Sequence, residues 1–278
     1  MQKRKNLIKD ILTYAVLTVV ALVCVFPFYW MVISSLRPAM ELLMPDAGLI
    51  PSRLTLDSYR RVMFGSPFFR FLKNSLVVTF CTLAITLAIA AMAAHSLARM
   101  EFRGKDLISR GILLAYVFPQ IVMVVPLFVA IVKMRLANTY LGLILTYITF
   151  SFPFATWMLI AYFQTIPKEL EEAGLIDGAS NLQVFLKITL PLARPGLVSA
   201  AVFSFIQAWN EFLYALVILN SESRKTLSVG LYGLFGGEVM TWGDVLAMCT
   251  LMVIPTMIFF TLVQKHLVQG LTAGAVKG

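Results

Sequence analysis

The chain has 278 residues, of which 59% are hydrophobic and only 13% are charged. Soluble domains have roughly 45–50% apolar and about 25% charged residues, and a soluble core has no room for so large an excess. The net charge of +9 does not indicate a nucleic-acid partner, because the basic residues lie beside apolar runs, as they do at the flanks of membrane helices. Composition therefore predicts an integral membrane protein surrounded by lipid and excludes a soluble enzyme.

Six apolar stretches are long enough to cross a bilayer, whose hydrocarbon core requires about 20 residues of helix. Between its flanking charges each stretch is free of Asp, Glu, Lys and Arg, except for one acid in the fifth. We therefore predict an all-α polytopic membrane protein, with residues 1–278 forming a single transmembrane domain. The expected spans are about 11–34, 74–98, 111–132, 141–162, 196–219 and 245–264.

Local patterns within the spans carry further expectations. Pro119 and Pro126 in the third span either kink the helix and shape a cavity, since a proline inside a helix removes a hydrogen bond, or are packing adaptations. Small residues four apart in the second span predict a face for close helix contact, namely Ala90, Ala94 and Ala98. Four Lys and Arg residues among the first nine place the N terminus in the cytoplasm by the positive-inside rule. Six spans then return the C terminus to the same side.

The connection between the fourth and fifth spans, residues 167–195, is too polar to cross a membrane. It opens with Pro167 and a group of acids, which predict a helix start because the positive end of the helix dipole favours negative charge. Those acids are Glu169, Glu171 and Glu172. The apolar contacts of this first helix are expected from Leu170, Ala173 and Leu175.

A turn is expected after the first helix, at Asp177-Gly178, because glycine accepts positive φ without steric cost. A second helical segment is predicted from about Ser180, with Phe185 and Ile188 on one face. It is expected to end before the fifth span, at Pro191 and Pro195. The stretch therefore predicts a cytoplasmic helix–turn–helix.

The spacing within this stretch resembles a known pattern. Glu172-Ala173-Gly174 is followed by Gly178 and, after nine intervening residues, by Ile188-Thr189-Leu190-Pro191. This is similar to the EAA loop of the permease subunits of ABC importers, E-A-A-x₃-G-x₉-I-x-L-P, with glycine in place of the second alanine. The resemblance implies a coupling loop on which an ATPase subunit docks, with the coupling residues Glu172, Ala173, Gly174, Asp177, Gly178, Ile188, Leu190 and Pro191.

Two further stretches resemble the carbohydrate-uptake branch of that family, in particular its maltose-type second permease subunit. One is the WNEF sequence in the fifth span, and the other is the C-terminal GLTAGAVKG. The resemblance implies a second ATPase contact through the tail residues Gly270, Leu271, Thr272 and Lys277. It also offers a candidate substrate path, formed by Trp209, Asn210 and Glu211.

Glu211 has a second interpretation. An acid at the bilayer centre costs about 2.5–3.5 kcal/mol on insertion scales, so it faces the protein interior and has a partner. The side chain is then either part of the substrate path or the acceptor of an interhelical hydrogen bond.

The resemblance also implies the partners and the energy source. They are a second permease subunit, an ATPase dimer, an extracytoplasmic sugar-binding protein and the sugar itself, in the inner or plasma membrane of a bacterium or archaeon. The chain has no GxxxxGK[ST] motif of its own, so ATP and Mg²⁺ are expected on the ATPase subunits and no cofactor on this chain. His95 and His266 lack metal-ligand spacing, and HExxH is absent, so neither a metal site nor a catalytic residue is predicted.

Other functions remain open at this point. A secondary transporter more often shows several membrane acids or broken helices repeated in two halves, and a channel would leave the EAA spacing without a role. The predicted function is therefore the permease subunit of an ATP-driven sugar importer. An oligosaccharide is expected first, and a monosaccharide or a glycerol phosphate second.

Overall fold

The computed structural model describes the backbone of residues 2–44, 48–234 and 241–275, and side chains between residues 9 and 265 within those ranges. No strand occurs in these ranges, which confirms the all-α prediction. The α-helices are α1 (Gln2–Ser35), α2 (Asp57–Gly65), α3 (Phe68–Arg99), α4 (Lys105–Val117), α5 (Val124–Lys133), α6 (Tyr140–Thr165), α7 (Glu169–Ile176), α8 (Asn181–Val184), α9 (Leu190–Leu192), α10 (Arg194–Asn210), α11 (Leu213–Ile218), α12 (Leu227–Leu234) and α13 (Trp242–Ala275).

Four of the described helices are long and apolar enough to cross a membrane, in α1, α3, α6 and α13. They contain the first, second, fourth and sixth predicted spans. The number reaches six if each of two bent pairs is one span. In one pair α4 is followed by Gln120–Lys133 at an angle of 94°, and in the other Asn181–Leu192 is followed by α10 at 74°.

The third predicted span is a broken helix, and the break lies at one of the two expected prolines. The helix α4 ends at Val117, because the residue before a proline is disfavoured in the α conformation and Phe118 is extended. Pro126 does not kink the chain. It lies in the first turn of α5, where a backbone N–H has no partner within the helix and its absence costs nothing. A groove of about 480 Å³ lies beside the break, lined in part by Leu114, Phe118 and Met123.

The structure has two compact units, and the larger is formed by Phe69–Gly230 with Pro255–Gly278. Its core contains a cluster in which α3, α6 and α10 meet through small residues. Ala90 and Ala94 on α3 are fully or almost fully buried, together with Ala155 on α6 and Ala200 on α10. The expected close-contact face of the second span is confirmed at Ala90 and Ala94, whereas Ala98 is half-buried at its edge. Side chains this small let helix backbones approach closely.

The other unit, Met1–Phe68 with Leu231–Ile254, is held by polar contacts at the helix ends. Arg37, just beyond α1, is buried below the ring of Trp30 and pairs with Glu41 at 3.1 Å. On α2, Arg61 pairs with Asp244 in the first turn of α13 at 2.8 Å. Both arginines thereby fix the ends of helices, and among these helices the apolar span of α1 is entirely unburied in the single chain.

Candidate functional site

The EAA-type loop, residues 167–195, begins as the sequence predicts. The helix α7 starts at Glu169 and carries Glu169, Glu171 and Glu172 in its first turn. It ends at Ile176, and Gly178 follows with φ +87°. The Gly178 N–H donates to Leu175 O, and the Ala179 N–H donates to Gly174 O, each at 3.0 Å. These two bonds form a Schellman motif, so the glycine of the EAA pattern is the residue that closes the helix.

The second segment of the loop begins with a capping box at Ser180. Its hydroxyl accepts from the Gln183 N–H at 3.3 Å, while the Gln183 side chain accepts from the Ser180 N–H at 2.9 Å. The Ser-x-x-Gln spacing is visible in the sequence and is a recognised helix-start signal. The turn and the second helical segment are therefore where the sequence places them.

The end of this second segment corrects the sequence prediction. The chain stays helical past Pro191, through a π-helical turn at Phe185–Thr189 and α9, and bends only at Ala193. A proline ring clashes with the carbonyl one turn earlier, and here that carbonyl lies in the wider π turn, which relieves the clash. Pro195 stands in the first turn of α10, so it begins the next helix.

The inward face of the loop is formed by Gly174 and Ile188. Gly174 is buried, and a Cβ atom built on it would lie 2.5 Å from Ile188 Cδ1 and 3.2 Å from Val184 Cγ2. The two helical segments therefore pack closely where the pattern usually has alanine. Leu170, Ala173 and Leu175, expected to supply the apolar contacts, are instead exposed. The helix α7 has only two turns, so the side that packs against the second helical segment is narrow. Gly174 occupies that side.

The outward face of the loop combines acids with apolar side chains. Glu172, Ala173, Asp177, Gly178 and Pro191 are exposed, whereas Leu190 is half-buried. Around them lie large apolar side chains that this chain leaves open, with Ile176 85% and Leu182 65% exposed. We call the exposed group the loop outer face: Glu172, Leu175, Ile176, Asp177, Leu182 and Leu186.

Sequence reasoning assigned no partner to Glu171, which faces inward. Its Oε1 accepts from Arg99 Nε and from Thr189 Oγ1, each at 2.9 Å, and its Oε2 lies 3.9 Å from His95 Nε2. We call Arg99, Glu171, Thr189 and His95 the Glu171 cluster. Arg99 and Glu171 are 72 positions apart, and no local spacing indicates that pairing.

The membrane acid Glu211 lies at a helix break, not inside a continuous fifth span. The helix α10 ends at Asn210, and α11 begins at Leu213, after two intervening residues. Glu211 Oε1 accepts from the Tyr214 N–H at 2.7 Å. Its Oε2 accepts from the Ala215 N–H at 3.0 Å and from the Tyr147 hydroxyl at 2.7 Å. The carboxylate therefore caps α11 and also makes an interhelical hydrogen bond to α6.

The other two residues of the candidate substrate path differ in exposure. Trp209 is 4% exposed, with its ring nearly parallel to that of Phe205 at 5.7 Å. Asn210 is exposed. A small cavity beside Glu211 is lined by Gln120, Tyr147 and Gln207, among others. The role of the three residues in the substrate path stays a prediction.

The C-terminal candidates lie at the end of α13. The backbone of Gly270, Leu271 and Thr272 is helical, and Lys277 lies outside the described residues. Within the described ranges, no group of three or more His, Cys, Asp or Glu side chains is placed to hold a metal ion.

An all-helical membrane fold that exposes a short helical hairpin with the EAA spacing defines a permease driven by a separate subunit. The chain belongs to the family of binding-protein-dependent transport system inner membrane components, whose family model matches residues 85–273. It is therefore an inner-membrane permease of an ABC importer, and the secondary-transporter and channel alternatives are set aside.

Relatives match this chain along nearly its whole length. It is 36% identical over 280 residues to the inner membrane ABC transporter permease YcjP of Escherichia coli K12, covering 100% of each chain. It is 38% identical to the trehalose/maltose transport system permease MalG of Thermococcus litoralis, covering 99% of each. It is 40% identical to the trehalose transport system permease SugB of Mycobacterium tuberculosis, covering 94% of this chain and 95% of that one.

The fold is also similar to a solved structure. A chain of a bacterial ABC transporter involved in alginate import matches with a TM-score of 0.79 and 22% identity, covering 94% of this chain and 97% of that one. At this identity the likeness concerns the fold.

Proposed function

We propose that this chain is the permease subunit of an ATP-driven importer of oligosaccharides and forms half of the translocation path beside a second permease subunit. The relatives of the chain support the substrate class, since they include permeases of transport systems for trehalose, maltose and diacetylchitobiose. A glycerol-based sugar conjugate also occurs among them, sulfoquinovosyl glycerol.

The proposed contact with an ATPase subunit rests on one observation, the exposure of the loop outer face. Ile176 and Leu182 expose most of their apolar surface, although they lie in a polar connection between membrane helices. Exposed apolar side chains framed by charge are typical of a protein–protein interface, and Glu172 and Asp177 supply that charge. The Schellman motif and the capping box hold this face rigid, so a force applied to it is delivered to the rest of the loop.

The other partners are proposed from the family of binding-protein-dependent transport components to which the chain belongs. ATP and Mg²⁺ are held by an ATPase dimer in the cytoplasm, on a phosphate-binding motif that this sequence does not contain. An extracytoplasmic sugar-binding protein delivers the sugar from the other side. The tail residues Gly270, Leu271, Thr272 and Lys277 provide a second contact with the ATPase.

Co-purification tests the ATPase contact. The chain is extracted from its native membrane in mild detergent, and the proteins that accompany it are identified by mass spectrometry. We expect an ATPase with a GxxxxGK[ST] motif and a second membrane permease. Ile176→Asp should release the ATPase, because a charge then lies where the partner buries an apolar side chain.

The matched control is Leu54→Asp, which places the same charge on a residue that is 64% exposed in a segment predicted on the opposite side of the membrane. Recovery of the chain without an ATPase in every mild detergent would contradict the proposal.

Uptake tests the substrate class. Cells that carry the complete transporter are given radiolabelled trehalose, maltose or diacetylchitobiose, with and without the gene for this chain. We expect uptake of at least one of these sugars that depends on the gene. Gene-dependent uptake of glycerol phosphate alone would replace the oligosaccharide assignment.

A further inference from the structure

We propose that the Glu171 cluster transmits movement of the EAA-type loop to α3, which makes Arg99, Glu171 and Thr189 positioning residues for transport. The proposal rests on the proposed function, in which the loop receives the movement of the ATPase. It adds the membrane helix that takes up this movement and the atoms that pass it on.

One carboxylate oxygen joins three separate segments of the chain. Glu171 Oε1, on α7, accepts from Arg99 Nε at the end of α3 and from Thr189 Oγ1 in the π-helical turn, each at 2.9 Å. The other end of the Arg99 guanidinium donates to the Ile166 carbonyl at 2.6 Å, directly after α6. Both helical segments of the loop are therefore bonded to the end of α3 through Glu171 and Arg99.

The cluster is shielded from water. The side chain of Arg99 is 7% exposed and that of Glu171 is 14% exposed. A shielded ion pair is weakly screened by salt, and removing one partner leaves an uncompensated buried charge. The two side chains therefore move together, since separating them is costly.

Apolar packing also links the loop to α3, but it has little directional preference. Phe185 of the loop is buried in the same cluster as Ala94 of α3, and the rings of His95 and Phe185 are in contact at 4.8 Å between centroids. A groove of about 240 Å³ lies beside this contact, lined in part by Met92 and Leu182. The bonds of the Glu171 cluster are the polar, directional part of the connection between the loop and α3.

The test uses the complete complex in proteoliposomes, with its binding protein and whichever of the three radiolabelled sugars the wild type takes up. The measured quantity is the number of sugar molecules imported per ATP hydrolysed. The variants are Glu171→Gln, Arg99→Gln, the double variant, and Arg99→Lys, which retains the charge. Glu101→Gln is the matched control, because Glu101 pairs with Lys105 at 2.9 Å but is 87% exposed.

We expect each glutamine variant to lower the sugar imported per ATP by about 2- to 30-fold, with ATP hydrolysis and complex assembly retained. The double variant should be no worse than either single variant, since both remove the same connection. Arg99→Lys should recover part of the loss, and Glu101→Gln should match the wild type.

Three results would overturn the inference: an unchanged ratio in the glutamine variants, additive losses in the double variant, or loss of the assembled complex in all cluster variants including Arg99→Lys. Failure of the proposed function looks different, because the wild-type complex itself would then contain no ATPase or import no sugar.

Discussion

At the scale of single residues, the glycines of this chain have different tasks. Gly178 is required for its conformation, since φ is +87° and a Cβ there would meet nothing within 4 Å. Gly174 and Gly196 are required for their size, because neighbouring side chains occupy the space of a Cβ. The sequence predicts the first task from the Asp-Gly pair, but the second depends on residues from other helical segments.

Gly178→Ala should destabilise the turn of the EAA-type loop by about 1–2 kcal/mol, the cost of a left-handed conformation for a residue with a Cβ. Gly178→Pro should cost more, because proline fixes φ near −65°, and it should uncouple ATP hydrolysis from transport while leaving membrane insertion intact. Amide hydrogen exchange of α7 in the purified complex measures the first effect, with Gly111→Ala as control. Normal coupled uptake in Gly178→Pro would count against the coupling role of the loop.

Gly196→Ala should lower the free energy of unfolding of the detergent-solubilised protein by about 1–3 kcal/mol, because the added methyl group overpacks its site. The melting temperature should fall accordingly. The added Cβ would lie 2.5 Å from Tyr162 Cγ and 2.9 Å from Tyr162 Cβ, atoms near the backbone that have little freedom to move. Gly174→Ala should cost less, since Ile188 Cδ1 is the end of a flexible side chain. Equal melting temperatures for Gly196→Ala and Gly111→Ala, which has open space, would refute the packing argument.

At the scale of helices, the fold depends on where the predicted spans are interrupted as well as on how long they are. Hydropathy alone predicts the third and fifth spans as single apolar stretches, because each lacks a charge or has only one. The structure interrupts them at Pro119 and at Glu211. A proline predicts a helix break from the local sequence alone. Glu211, in contrast, acts as a cap only because the chain turns there and presents two free N–H groups to its carboxylate.

Glu211→Ala should destabilise the protein by about 1–3 kcal/mol, because it leaves the Tyr147 hydroxyl and the Tyr214 and Ala215 N–H groups without their acceptor. Glu211→Gln should lose less, since one acceptor oxygen remains. Thermal unfolding in detergent measures both, and Glu222→Gln, at an exposed acid, is the control. If Glu211→Ala unfolded at the wild-type temperature but abolished sugar uptake, the acid would belong to the substrate path.

At the scale of the whole molecule, large apolar side chains remain exposed along helices that cross the membrane. None of the candidate span of α1 is buried within the single chain, against 50% of that of α6. Lipid and partner subunits are the surroundings that make such surfaces stable. The orientation of the chain in the membrane rests on the positive-inside rule and is testable.

Single cysteines at Asp177 and Ser223 should react from opposite sides of the membrane. The background protein has Cys24, Cys81 and Cys249 replaced by alanine, and both test positions are exposed. In intact cells a membrane-impermeant maleimide should label Ser223→Cys, and in inside-out vesicles from cells that lack the ATPase subunit it should label Asp177→Cys. The reverse pattern would invert the predicted topology.

The class of the protein, the apolar stretches and the position of the EAA-type loop can be predicted from the sequence, because hydropathy, Pro, Gly and capping residues act over a few neighbouring positions. The outward face of the loop and the helix to which the loop is bonded become visible only in the folded chain. Arg99 and Glu171 are 72 positions apart, and Gly174 is buried by Ile188 from the second helical segment. Such pairings depend on how helices pack in space, and no short sequence pattern encodes them.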